Sequence, residues 1–425
     1  MVNKSMLRAT GLATILAIAA CQTAPAQEAD TPETAADFME HHQALTILDT
    51  HLDTPAMLIR PGFDIMERHD AATDYSQVDV PRMDEGGLDG GWWVIYTPQG
   101  PLDERSYELT RDIAVMRAVA VREMVAANPE TFEIAETAAD AQRIADEGKK
   151  VVMMSIENSY PLGTDVSLLE TFYHLGVRMV GPVHFRNNQF ADSGTDIVEE
   201  FGGLSPLGEE LVVEANRLGM VLDASHASDG VFDDLIRLSG APIILSHSGT
   251  SAIYDHPRNI DDDRLRTLAE HGGVIQINAL GSYLKQFPAN PERDAAFQEL
   301  RTQFSNPADM SEEDYAEYLT ARNAIDAQFP PAMASFEDFM EQLLHALRVM
   351  GPEHVGIGPD WDGGGGVIGL EDVSDYPAIT SRLLAEGYTW EDMENIMGGN
   401  SLRVLQAAED YAAELAAAEA EAAAE

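Results

Sequence analysis

Eight short apolar runs punctuate the chain, and polar stretches with helical spacing separate most of them. The runs are 46–53, 89–97, 151–158, 177–184, 220–226, 242–248, 274–279 and 354–361. Their length and bounding turn residues suit buried strands. Apolar residues recurring every three or four positions predict amphipathic helices over 104–127, 134–147, 206–218, 260–271, 335–350 and 374–386. Strands that alternate with helices make βα units and a parallel sheet. Eight such units predict an α/β fold, a closed (β/α)8 barrel of the TIM type. Residues 281–334, between the seventh and eighth runs, break the rhythm: they are polar and hold Pro288, Pro291, Pro307, Pro330 and Pro331. They predict a helical insertion over one rim, serving as a cover on the catalytic face or as an arm between copies of the chain.

The two ends read differently from the middle. Lys4 and Arg8 precede an apolar run, Gly11 to Ala20, which ends in Ile18-Ala19-Ala20-Cys21. A basic start, an apolar stretch and small residues before a cut site make a secretory signal. The pattern resembles a bacterial lipobox, whose cysteine becomes the lipidated first residue. The expectation is a signal peptide over 1–20, a flexible tether over 21–42, the barrel domain over 43–406 and an Ala/Glu-rich solvated tail over 407–425. The protein would then be exported and held by lipid in the cell envelope, on the periplasmic side or at the outer membrane. No other apolar stretch reaches the roughly 20 residues that span a bilayer.

Composition narrows the partners. The 425 residues carry 73 acidic and 26 basic side chains, a net charge of -47. Such a surface repels nucleic acid and anionic lipid. The single cysteine, Cys21, excludes a disulfide within the chain and a cysteine-based zinc site. The sequence allows a homodimer and does not specify one.

The chemistry lies at the ends of the runs. Six of the eight end in or near a metal-capable or acid–base side chain: His51 with Asp53, Glu157, His184, His226, His247 and Asp360. In a barrel all these ends meet at one mouth. Burying such groups there is costly unless they are paired or bind metal. His51 and Asp53 stand two apart on a strand and so face the same way. With Glu157, His226 and His247 they make a set of three imidazoles and two carboxylates, which suits zinc or another borderline divalent ion. Five such residues exceed the roughly three that one catalytic zinc takes from protein. A carboxylate can bridge two ions, which would share a hydroxide nucleophile. His41, His42, His69, His174, His256, His271, His345 and His354 fall in helices, loops or strand starts and read as surface or packing residues. Asn278 ends the seventh run, where it either lines the pocket or packs.

These residues sit in segments that resemble the membrane (renal) dipeptidases, a branch of the metal-dependent amidohydrolases. The matching segments are Asp49-Thr50-His51-Leu52-Asp53-Thr54-Pro55, Ser155-Ile156-Glu157-Asn158, Leu175-Gly176-Val177-Arg178 and Ser205-Pro206-Leu207-Gly208. They continue through Asp223-Ala224-Ser225-His226, Ser246-His247-Ser248, His256-Pro257-Arg258-Asn259, Gly356-Ile357-Gly358-Pro359-Asp360-Trp361-Asp362-Gly363 and Gly398-Gly399-Asn400-Ser401. The resemblance implies that His51 and Asp53 hold one zinc, that His226 and His247 hold the other, and that Glu157 bridges them. It implies that Asp360 handles protons, that His184 meets the substrate carbonyl oxygen, and that Arg258 meets the substrate carboxylate. The implied activity is hydrolysis of dipeptides with a free C-terminal carboxylate, D-residues included at that end. A related activity on N-acyl amino acids or lactams is the alternative. Two departures stand at the pocket rim: Val180-Gly181-Pro182-Val183 before His184, where many relatives carry Leu-Thr, and the long 281–334 insertion.

Overall fold

The computed structural model describes residues 34–304 and 310–424. The expected signal peptide, Cys21 and the first part of the tether lie outside the described residues. The strands are β1 (Leu48–Leu52), β2 (Gly90–Ile95), β3 (Phe132–Ile134), β4 (Lys150–Ile156), β5 (Val177–Val180), β6 (Val221–Leu222), β7 (Ile244–Thr250), β8 (Asn259–Ile260), β9 (Val274–Ile277) and β10 (Val355–Ile357). Eight of them match the eight apolar runs. The short β3 and β8 are additions that pair at the margins of β4 and β7.

Every strand pair is parallel. One sheet runs β1-β2-β4-β5-β6 and the other β10-β9-β7-β8. Two single bridges close the ring: Asp223 with Ile244 joins β6 to β7, and Leu52 with Trp361 joins β1 to the end of β10. Each seam carries a backbone bond, Ala224 N to Ile244 O at 2.8 Å and Asp53 N to Trp361 O at 2.9 Å. The result is an eight-stranded barrel, as the run pattern predicts. β2 opens on Gly90 and Gly91, at φ of 129° and 143°. A Cβ there would fall 2.1 Å from the Val151 carbonyl oxygen or 1.9 Å from that of Asp49, so only glycine lets three strand backbones approach this closely.

The helices form where the spacing places them. Glu104–Ala127 and Pro206–Leu218 match the predicted spans, each started by a side-chain cap, from Asp103 onto Ser106 N and from Ser205 onto Gly208 N. Pro206 occupies the first turn of its helix, where no N–H partner is lost. The 281–334 stretch is helical over Pro291–Gln303 and Glu312–Gln328. It reaches back to the loop after β1, where the Tyr75 hydroxyl lies within hydrogen-bond distance of Asn323 and Asp326, at 2.6 and 2.7 Å.

Both ends of the barrel domain extend further than the sequence reading placed them. Ala35–Gln43, within the expected tether, is a helix capped by Thr34. Its His42 is fully buried, with ring nitrogens 3.0 Å from Thr380 Oγ1 and 2.9 Å from the Gly86 carbonyl. The expected solvated tail continues a helix over Asn400–Ala424. Its first turns pack: Ala408 is buried, Tyr411 lies against Gly240, and Glu409 accepts from Ala138 N at 2.9 Å. Among the described residues no helix is long and apolar enough to cross a membrane.

Candidate active site

The strand ends bring the expected side chains to one point. Glu157, just past β4, is the centre. Its Oε1 lies 3.6 Å from His51 Nε2, 3.4 Å from His184 Nε2, 3.1 Å from His226 Nε2 and 3.6 Å from His247 Nε2. Asp53 and Asp360 stand on the His51 side, at 3.6 and 3.9 Å from its Nε2. All seven are buried. The backbone is forced to aim some of them: His226 has φ of 66° and Asp360 of 73°, in the left-handed region that costs a non-glycine residue about 1–3 kcal/mol. Such strain persists where surrounding structure holds it, and here it sits on two site residues.

The electrostatics of the cluster call for cations. Burial would lower the His51 imidazole, but Asp53, Glu157 and Asp360 push it up to about 10. Burial pushes the Glu157 and Asp360 carboxyls well above the usual carboxylate range. Burial, with Arg258 adding repulsion, pulls His184 down to about 3 and His226 far below its ordinary value. His247 is pulled down by burial and then by His51 and Arg258. The Nε2 atoms of His226 and His247 face each other at 2.9 Å. As neutral acceptors, two lone pairs at that distance repel unless a proton or a metal ion lies beside them. His51 Nε2, turned toward Glu157, and Asp53 Oδ1 beside it are buried without a hydrogen-bond partner. An orphaned imidazole nitrogen and an orphaned carboxylate oxygen in this cluster fit divalent metal, which replaces protons on such ligands.

Further residues position the cluster. The Ser246 hydroxyl donates to Asp223 Oδ2 at 2.6 Å and faces His247 Nδ1 at 2.9 Å. With the hydroxyl proton on Asp223, His247 must donate from Nδ1, which leaves its Nε2 lone pair turned into the site. His184 is held between Tyr96 and Phe185, at ring distances of 5.2 and 3.8 Å. Arg258 is buried, and its guanidinium donates to Ser248 Oγ at 2.6 Å and to the His247 carbonyl at 2.7 Å. Its Nε has no partner. His256, read as a packing residue, accepts from Arg258 N at 3.1 Å and so helps set that loop. Asn278 is buried and bonds to the backbone of Leu280 and His247, which is packing.

Asp223, Ser246, Tyr96, Phe185 and Gly363 stand outside the residues that the run ends mark. Asp223 and Ser246 stand beside His226 and His247 in the quoted segments, and that adjacency was the available signal. A Cβ at Gly363 would fall 2.0 Å from Asp53 Oδ2 and 2.2 Å from Asp360 Oδ1. This glycine is therefore the floor on which two site carboxylates rest.

A parallel eight-stranded barrel with imidazoles and carboxylates gathered at the C-terminal ends of its strands defines a metal-dependent hydrolase of the amidohydrolase type. Residues 35–419 match the model of the membrane dipeptidase family, peptidase family M19. The chain belongs to that family, whose members are metallopeptidases, hydrolases acting on peptide bonds. It is 31% identical over 358 residues to dipeptidase tcpJ of Claviceps purpurea, covering 83% of this chain and 74% of that protein. Among solved structures it is similar to the probable dipeptidase PvdM from Pseudomonas aeruginosa, with a TM-score of 0.74 and 29% identity over 88% of this chain and 98% of that one. A metallo peptidase from Rhodobacter sphaeroides, liganded with a phosphinate mimic of the dipeptide L-Ala-D-Ala, aligns with a TM-score of 0.68 and 26% identity, covering 86% of this chain and 99% of that one.

Proposed function

We propose that this chain is a two-zinc dipeptidase that cleaves dipeptides with a free C-terminal carboxylate, D-residues included at that position. The observation that carries the reading is the pairing of the Glu157-centred ligand cluster with the buried guanidinium of Arg258 beside it. His51 and Asp53 would hold one ion, His226 and His247 the other, with Glu157 between them. The histidine-rich donor set favours zinc. Bound there, the two ions would supply a water nucleophile at neutral pH and polarise the amide carbonyl.

The chain's own groups divide the rest. Asp360, buried 3.9 Å from His51 Nε2, would take a proton from the attacking water and pass it to the leaving amine. Neutral His184, with Nε2 3.4 Å from Glu157, would donate to the oxygen that becomes negative. Arg258 offers Nε and a planar fork to the terminal carboxylate. The L-Ala-D-Ala mimic on the Rhodobacter sphaeroides relative supports D-residues at the C-terminal position.

The test compares a free dipeptide with its C-terminal amide. Arg258→Met should raise KM and erase discrimination against the amide, while Asp360→Asn should lower kcat by about 10²–10⁴ with metal content unchanged. Metal analysis of the wild type should find two ions per chain. A wild type that cleaves N-acyl amino acids or lactams but no free dipeptide would overturn the substrate assignment. The same proposal places the chain in the cell envelope through lipid on Cys21. Mass spectrometry of the mature N-terminus tests this, and an unmodified start downstream of Cys21 refutes it.

A further inference from the structure

A chamber of about 1130 Å³ opens on the catalytic face between three segments that follow barrel strands. Arg60 and Tyr75 come from the loop after β1, Arg322 and Met333 from the helical insertion, and Gly363 and Gly364 from the loop after β10. Gly363 is shared with the metal cluster, because the position of its absent Cβ touches Asp53 and Asp360. The chamber therefore adjoins the Asp53 side of the site. Arg258, bonded to Ser248 and the His247 carbonyl, stands on the His247 side of the cluster.

Four arginines and five carboxylates line the chamber, Asp70 and Glu371 among the latter, and Glu371 accepts from Gly369 N at 3.0 Å. Arg82 is paired with Asp79 and Asp372 at 2.7 and 3.0 Å, and Arg68 with Glu85 at 2.5 Å. Asp326 is taken by Arg293 at 2.6 Å and by the Tyr75 hydroxyl. Asp362 accepts from Thr54 and from Gln77 N, both at 2.7 Å. Among the described residues two of these arginines form no ion pair. Arg60 donates to the Tyr315 hydroxyl at 3.2 Å and, at longer range, pulls down the Asp362 carboxyl. Arg322 lies 3.4 Å over the Tyr75 ring and makes no hydrogen bond or ion pair among the described residues; its Nε is buried and unpartnered. Ring stacking orients a guanidinium while leaving its in-plane donors free for a planar anion.

We propose that this chamber is a side-chain subsite for a carboxylate, and that the preferred substrates are dipeptides whose N-terminal residue is acidic, Glu before Asp. The inference rests on the dipeptidase reading. With the C-terminal carboxylate on Arg258 and the amide over Glu157, the N-terminal residue points to the Asp53 side and its side chain enters past Gly363. The longer side chain of Glu reaches further toward Arg60 and Arg322. These two arginines, one from the barrel and one from the insertion, then clasp the carboxylate between them.

The experiment uses the full metal-loaded chain with Glu-Ala, Ala-Ala and Lys-Ala. The wild type should favour Glu-Ala over Lys-Ala by about tenfold or more, and Arg60→Met and Arg322→Met should each cut kcat/KM on Glu-Ala by about 10- to 100-fold. Ala-Ala should change less than about twofold in both, and Arg322→Lys should recover part of the loss. Equal wild-type rates on Glu-Ala and Lys-Ala, or parallel losses on Glu-Ala and Ala-Ala in Arg322→Met, would overturn the subsite. If no dipeptide is cleaved, the dipeptidase reading fails separately, and glutarate binding then probes the chamber. A glutarate-dependent rise in Tm in the wild type that disappears in the Arg60→Met, Arg322→Met double variant supports the anion site; no rise in the wild type refutes it.

Discussion

Replacing Gly363 by alanine adds one methyl group and tests how tightly the site carboxylates are held. The Gly363 backbone is outside the left-handed region, so alanine meets no conformational penalty there. The added carbon would fall 2.0 Å from Asp53 Oδ2 and 2.2 Å from Asp360 Oδ1, where real contacts essentially never fall below 3.0 Å. Each carboxylate must therefore move by about 1 Å, or the turn must open. The turn is pinned by Gly363 N and Gly365 N, which donate to the Asp360 carbonyl at 3.2 and 2.8 Å. Side-chain ends yield before a bonded turn, so the carboxylates should move. A misplacement of about 1 Å costs on the order of 10² in rate, and metal ligands tolerate only about 0.2 Å. Gly363→Ala should keep its fold, lose no more than about 1–3 kcal/mol in urea unfolding, and drop at least about 100-fold in kcat/KM. Competition with a metal chelator should show weaker metal retention. A variant with wild-type metal affinity and a rate within threefold would mean that Asp53 and Asp360 are not held at this spacing, and the geometric argument would fall.

Other perturbations follow from single contacts. Ser246→Ala breaks the link between Asp223 and His247 and should weaken metal affinity by about 10- to 100-fold without changing the far-UV spectrum; unchanged affinity would show that the relay does not orient the imidazole. Asp89, pushed up to about 6 chiefly by burial, accepts from Ile47 N at 2.9 Å. Because its folded pKa is raised, the native state holds more protons than the unfolded one between about pH 4 and 6, so this contribution to stability fades as pH rises through that window. The stability difference between the wild type and Asp89→Asn should shift against the wild type by about 2–3 kcal/mol from pH 4 to pH 7 in urea unfolding; parallel pH profiles would sink the idea. His42→Ala removes two buried bonds at the start of the domain and should cost about 2–3 kcal/mol; a loss below about 0.5 kcal/mol would return that helix to the status of a tether.

The barrel and the residues gathered at its mouth were legible because each writes a local signal. Apolar runs of strand length mark β1, β2, β4 and the rest, and a metal-capable residue at a run's end has no packing reason to be there. His51 and Asp53 declare themselves by a two-residue spacing on one strand. What stayed hidden depends on contacts distant in sequence. His42 looks like any surface histidine until Gly86 and Thr380 close over it. The Ala/Glu tail shows no apolar stripe, yet small residues are what let Ala408 and Tyr411 pack beside Gly219 and Gly240. The docking of the insertion through Tyr75 and Arg322 joins residues about 250 positions apart, and no periodicity encodes it.

The placement of the site residues relative to the barrel seam explains how a fold this regular holds so exact a cluster. The ring closes where Asp53 N meets the Trp361 carbonyl at 2.9 Å. Asp53 supplies the N–H of that bond, and Asp360 is the residue before the acceptor. The backbones that carry these two carboxylates are thus held side by side by the hydrogen bond that completes the barrel. Nearby, Tyr376 bonds to Asp49 and to Trp361, tying the seam to the base of β1 beneath His51. At the other seam, Asp223 bridges to Ile244, and its carboxylate accepts from Ser246, which orients His247. Side chains on both sides of Glu157 therefore inherit their spacing from barrel closure. The positive φ angles of His226 and Asp360 are affordable for the same reason, since each residue follows a seam or ends a strand beside one. Stability and catalysis share these two seams, so a mutation that loosens either should release metal before it unfolds the chain.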